Sequence, residues 1–238
     1  MKIEVHRSET RGTTELGWLH SRHSFSFGEY FDPQRRGFGA LRVLNEDKVK
    51  PGMGFGLHPH DNMEIVSIVL GGTLEHKDSE GNHGVIPAGD IQKMSAGSGI
   101  RHSEFNHSKE EAVHFLQVWV FPKERDIKPG YEQKSFPVGL KKNALLPVIS
   151  GQKNDKTLYI HQDCTFSLGS ADPGKRLPYF LSSPAHGIYV FNIEGEIEIG
   201  EDILKTGDAA ALSDISKIEL VVHKKSEILV IEVPLKKG

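Results

Sequence analysis

Apolar residues in this chain come in short runs separated by glycine and proline turns, the pattern of an all-β protein. Runs rich in Val, Ile, Leu and Phe predict strands at Leu41–Asn45, Glu64–Leu70, Thr73–Lys77, Gly84–Ile86, Ile91–Ser95 and Val113–Phe121. Six more are predicted at Thr157–His161, Cys164–Leu168, Ile188–Ile193, Glu196–Ile199, Lys217–Val222 and Ile228–Val233. Turns punctuate them at Gly71-Gly72, Asp78 to Asn82, Pro87 to Asp90 and Gly97-Ser98-Gly99. No long window carries a helical period, so helix is expected to be a minor component.

The order of elements repeats weakly. Ile65–Asp90 runs apolar strand, Gly72, alternating strand, hairpin, then Gly89-Asp90; Ile188–Asp208 repeats this with Gly195, Glu196–Ile199 and Gly207-Asp208. The second copy is shorter in its hairpin, where length is cheap to change. Two tandem domains are therefore expected, at residues 1–133 and 134–238. The stretch Phe121–Lys134, with Pro122, Pro129 and Gly130, is the expected bridge.

With 238 residues, 26% charged and 37% hydrophobic, the chain can build a real core without staples. The 29 basic and 32 acidic residues are mixed along it, with no basic stripe for direct nucleic-acid binding. A single cysteine, Cys164, excludes an intrachain disulfide and fits a reducing compartment. The first residues lack the apolar core of a signal peptide, and Ile65–Leu70 and Ile228–Val233 are far too short to span a bilayer. A cytoplasmic protein with no membrane association is expected. No long apolar edge strand stands out, so a monomer is expected.

The candidate chemistry lies in His58-Pro59-His60 and His102-Ser103-Glu104. In an extended strand, residues two apart face the same side, so each pair projects together. Two such pairs on neighbouring strands can converge, offering three imidazoles and a carboxylate. That donor set suits one divalent transition ion, among Fe, Ni, Cu, Zn, Mn and Co. Among 13 histidines some clustering is expected by chance. The paired spacing favours metal, whereas His6, His20, His23, His76, His83, His107, His114, His161, His186 and His223 lack such pairs and are read as structural.

The run Gly52-x5-His58-x-His60-x3-Glu64-x6-Gly71 matches the first cupin motif, and Gly81-x5-Pro87-x-Gly89 the first half of the second. The second motif then departs, with Gln92 where a cupin usually has histidine, and the chain continues to Gly99-Ile100-Arg101-His102-Ser103-Glu104. In this it resembles the pirin family of bicupins, in particular its bacterial members described as quercetin 2,3-dioxygenases. Trp18-x-His20 through Phe27, Asp32-Pro33 and Gly39 through Asn45 support the likeness. The resemblance covers residues 15–135 well and the rest weakly.

The resemblance implies two tandem cupin (double-stranded β-helix, or jelly-roll) barrels. It makes His58, His60, His102 and Glu104 the metal ligands, with Fe(II) the foremost metal, and sets Glu64 beside the site as an orienting carboxylate. Leu181, Ser183 and Gly187 fall where the first half has His58, His60 and Glu64, so the second barrel is expected to be metal-free. The activity implied is ring opening of a flavonol or catechol-like aromatic by dioxygen, releasing carbon monoxide and an ester. Glu104 would be the catalytic base for the 3-hydroxyl proton. Two alternatives stay open: an iron-binding, redox-sensing regulator acting through a protein partner, and another cupin reaction such as isomerisation.

Overall fold

The computed structural model describes residues 1–236. The first half carries β1 (Lys2–His6), β2 (Gly12–Glu15), β3 (Leu19–His23), β4 (Leu41–Val49), β5 (Gly54–His60) and β6 (Glu64–Gly71). It continues with β7 (Thr73–Asp78), β8 (His83–Pro87), β9 (Asp90–Ser95), β10 (Ile100–Asn106), β11 (Val113–Val120) and β12 (Gly130–Ser135). The second half carries β13 (Leu145–Ser150), β14 (Leu158–Tyr159), β15 (Thr165–Ala171), β16 (Arg176–Phe180), β17 (His186–Ile199), β18 (Asp202–Lys205), β19 (Ala209–Ser213) and β20 (Lys217–Pro234). Helix is confined to a 3-10 turn at Ser8–Thr10 and one short helix, α1 (Val138–Lys141), among the described residues. No helix among them is long and apolar enough to cross a membrane.

A seven-stranded sheet, β12-β9-β6-β11-β4-β3-β2, faces a four-stranded sheet, β5-β10-β7-β8, and a nine-stranded sheet joins β1 to the strands of the second half. The apolar run of β6 is continuous because both of its faces are covered. Val66 and Ile68 pack with Phe166, Tyr189, Phe191 and Leu229 between the halves. Val69 points the other way, onto Leu19, Leu74, Val113 and Phe115 inside the first barrel. Burying each such side chain contributes roughly 1.5–3 kcal/mol before entropy is counted.

The repeat appears as shared pairing. β6 pairs with β9 and β7 with β8, while β17 pairs with β19 through its first part and with β18 through its second. Gly72 and Gly195 both take positive φ (73° and 95°) at the junction. The first copy breaks there into two sheets. The second runs on as one strand with register shifts, so the expected strands Ile188–Ile193 and Glu196–Ile199 fuse into β17. Lys217–Val222 and Ile228–Val233 likewise fuse into β20, and Thr157–His161 shrinks to β14.

Two features bear on the expected division at 133/134. That position falls inside β12, which pairs along β9 of the first barrel. β1 crosses the division, pairing with β19 from Lys2↔Ser213 to His6↔Ala209. Arg11 follows β1 and joins the halves again, bonding Glu46 at 2.8 Å while its guanidinium lies 5.0 Å from the Phe191 ring centre.

Candidate metal centre

β5 is an edge strand that, among the described residues, pairs with β10 alone. Pro59 is tolerated there because an edge leaves one row of N–H groups unused. On β5, His58 and His60 turn to the barrel interior while Leu57 and Pro59 are exposed. On β10, Ile100, His102, Glu104 and Asn106 are buried, and the pairing with β5 shifts register between His102 and Glu104. The ligand atoms of His58, His60 and His102 lie within 4.8 Å of one another. Glu104 stands one step further in; it groups with His102 and His76 at the same spacing.

The protonation pattern fits a cation. His58 Nδ1 lies 2.7 Å from the Gly56 carbonyl, which can only accept, so that nitrogen carries the proton and Nε2 is left with a lone pair. His102 Nε2 is buried without a hydrogen-bond partner among the described residues. An orphaned buried nitrogen is costly unless something else takes its lone pair. Burial, then the charges of His102 and His58, hold the His60 imidazole down at about 4. Burial, then His58 and His76, hold His102 at about 3. Both rings are therefore neutral near pH 7, the form that binds metal. Three neutral nitrogens beside a carboxylate fit a divalent transition ion.

Glu104 is held by a polar row on the opposite wall. His23, Asn45, Gln117, Ser67 and Gln92 stand in register across β3, β4, β11, β6 and β9. Ser67 Oγ and Gln92 Nε2 donate to Glu104 Oε1 at 3.0 and 3.2 Å, and Gln117 Nε2 donates to Oε2 at 2.5 Å. A carboxylate offers about four acceptor positions. Three are used, and one on Oε2 remains.

The same wall opens into a cavity of about 460 Å³ bordered by Phe27, Phe55, Trp119, Leu19, His58 and His60. That size takes a drug-sized molecule. Trp119 lies edge-on to His60 at 4.8 Å and to Phe27 at 5.3 Å. Asn45 and Asp47 give one wall a polar strip. Burial, and then the charge of Glu104, push the Asp47 carboxyl up to about 7.

Two sequence readings need correction. Glu64 is completely buried, but its hydrogen bonds come from Ser95 Oγ (3.0 Å) and the His161 backbone (3.2 Å), and its other oxygen has no partner among the described residues. It ties the first barrel to the second half and orients none of the three imidazoles. His76, read as unpaired, is fully buried and bonds Asp78 at 3.0 Å. The missed signal is His76-x-Asp78, a further pair two apart, on the strand beside β10. Gln117 and Ser67 were also missed; each is a polar residue flanked on both sides by apolar ones within its strand.

A family model for pirin matches residues 4–120. A quercetin 2,3-dioxygenase of Escherichia coli K12 is 38% identical over 232 residues, covering 98% of this chain and 99% of that protein. The chain belongs to the pirin family. A model for the quercetinase C-terminal cupin domain matches residues 147–233, so both halves of this pirin are cupin barrels. A putative quercetin 2,3-dioxygenase of Mycobacterium tuberculosis is 40% identical over 240 residues, covering 99% of this chain and 97% of that one. The crystal structure of the bacterial pirin YhhW from Escherichia coli, in complex with nickel(II), superposes with a TM-score of 0.92 at 37% identity, covering 98% and 99% of the two chains. This pirin is thus a cupin of the dioxygenase type, with a divalent-metal centre.

Proposed function

We propose that this pirin opens the ring of flavonol-like substrates with dioxygen, using one divalent metal held by His58, His60, His102 and Glu104. Fe(II) is the metal we assign, and the same donors accommodate Ni, Cu, Mn, Zn or Co. One observation carries the reading: three imidazoles converge at the edge of an apolar, aromatic-bordered cavity of about 460 Å³. A concave, largely apolar cavity of this kind favours a small aromatic substrate over a partner protein.

When bound, the metal supplies Lewis-acid activation of the flavonol oxygen and of dioxygen. The protein does the rest. Phe27, Phe55 and Trp119 flank the planar rings and exclude water, which strengthens charge interactions inside. Asn45 and Asp47 meet phenolic hydroxyls along the polar strip. Glu104 takes the 3-hydroxyl proton on the one acceptor position that Ser67, Gln92 and Gln117 leave free. The same position is the one with which Glu104 would hold the metal.

The test is dioxygen uptake by protein reconstituted anaerobically with Fe(II) or Ni(II), given a flavonol or the matching flavone without the 3-hydroxyl. The reading expects loss of the flavonol absorbance with carbon monoxide release, and an inert flavone. No uptake with any of the metals would set the reading aside in favour of the regulatory alternative.

A further inference from the structure

Behind the three imidazoles, His76 and Asp78 lie on β7 beside β10, in register with Glu104 and His102 respectively. Both side chains are fully buried. Asp78 is fixed by its own hairpin: Oδ1 accepts from the backbones of Glu80 and Asn82 (3.0 and 2.9 Å), and Oδ2 accepts from Asn82 Nδ2 at 3.0 Å. A carboxylate surrounded by donors is an ionised acceptor. The His76 Nε2 that reaches it at 3.0 Å therefore carries a proton.

With Nε2 donating to Asp78, the nitrogen of His76 left to accept is Nδ1. Gln92 supports this independently, because the Nε2 that donates to Glu104 also points at His76 Nδ1, at 3.4 Å. His102 Nδ1 approaches the same His76 nitrogen at 3.4 Å. Two lone pairs would repel there, so His102 Nδ1 carries the proton and His102 Nε2 keeps its lone pair. That Nε2 is the buried nitrogen without a partner. The opposite tautomer would bury an N–H with nothing to accept it, at a real cost. Tyr131 stacks on His76 at 4.7 Å and 26°, which holds the ring plane. A side chain at Gly84 would collide with the Tyr131 hydroxyl, so glycine there makes the stack possible.

We propose that Asp78 and His76 are a positioning pair that fixes His102 as the Nδ1–H tautomer, presenting Nε2 to a divalent cation. The inference rests on the reading of His102 as a metal ligand. Partners of this kind orient a ligand imidazole and raise its basicity, and losing one typically weakens metal binding by about 10- to 100-fold.

The experiment has two arms. Nitrogen-15 NMR of the metal-free full-length protein is expected to show His102 protonated on Nδ1 and His76 on Nε2. Ni(II) affinity is then measured by competition with a chelating dye. His76→Phe, which keeps an aromatic ring against Tyr131, is expected to weaken binding by about 10- to 100-fold. His76→Asn, whose carbonyl can accept from His102, is expected to recover most of that loss. A wild-type His102 protonated on Nε2 would overturn the proposal without any variant. So would undiminished Ni(II) affinity in His76→Phe, or a failure of His76→Asn to recover it in folded protein, each leaving the metal site itself intact. Wild-type protein that binds no Ni(II) would instead remove the metal reading beneath it.

Discussion

Trp119 donates its indole N–H to Gln117 Oε1 at 3.1 Å, and this decides which end of the Gln117 amide meets Glu104. With the oxygen occupied, Nε2 faces the carboxylate and donates to it. Trp119 also borders the cavity and packs on His60, so one side chain joins substrate space, a candidate ligand and the orientation of the carboxylate. Trp119→Phe keeps the packing and frees the amide to flip. Turnover is expected to fall about tenfold with metal content near wild type, since a positioning bond is worth roughly 0.5–1.5 kcal/mol. Gln117→Leu should fall further, because it leaves Glu104 Oε2 without its donor. Steady-state kinetics with parallel elemental analysis checks both, and wild-type kcat in both variants would contradict the orienting role.

Glu64 gives the converse prediction. Burial pushes its carboxyl up, so the ionised form weakens the fold as pH rises above the usual carboxylate range. Glu64→Gln keeps an oxygen for Ser95 and the His161 N–H and removes the charge. Its melting temperature relative to wild type is expected to be higher at pH 8 than at pH 5, with Ni(II) stoichiometry and affinity unchanged. A tenfold loss of affinity would return Glu64 to the metal's surroundings.

The pH dependence of metal binding follows from the buried rings. His60 at about 4 and His102 at about 3 take no proton between pH 8 and 5, so neither competes with metal there. Three ordinary imidazoles would release nearly three protons per metal at pH 5.5. This site is expected to release far fewer, because His60 and His102 contribute none. Calorimetry of Ni(II) binding in buffers of different ionisation enthalpy counts the protons, and a value near three would contradict the burial argument.

Acid sensitivity of the fold should trace in part to Glu46. Burial would raise its carboxyl, but hydrogen bonds and charge from His114 and Arg11 outweigh this and hold it at about 2. A depressed folded value contributes stability above about pH 4.5 and loses it as pH falls toward 2. The stability gap between wild type and Glu46→Gln is expected to narrow by about 1 kcal/mol between pH 6 and 3.5. Urea unfolding at both values measures it, and a constant gap would rule the linkage out.

What the sequence revealed depended on which face of a strand was apolar. β6 and β11 could be read directly, because both faces of each are buried. β2, β3, β5 and β10 were not among the apolar runs, because polar side chains such as Ser21, His23, His58, His60, His102 and Glu104 point inward around a cavity. There the residue spacing pointed to the site even though hydropathy did not reveal the strand. The partners of Glu104 were hidden for a different reason. Ser67, Gln92 and Gln117 are distant in sequence, and only the register of three strands brings them together. The same holds for β1, whose partner β19 lies some two hundred residues away.

The central claim is that His58, His60, His102 and Glu104 share one divalent ion. Its most direct measurement is the metal content of protein stripped with chelator, reloaded with Ni(II) and desalted, for wild type, His58→Ala and His102→Ala. The account predicts about one nickel per chain in wild type and nearly none in either folded variant. Two ions per chain, none, or full retention after His102 is removed would contradict it.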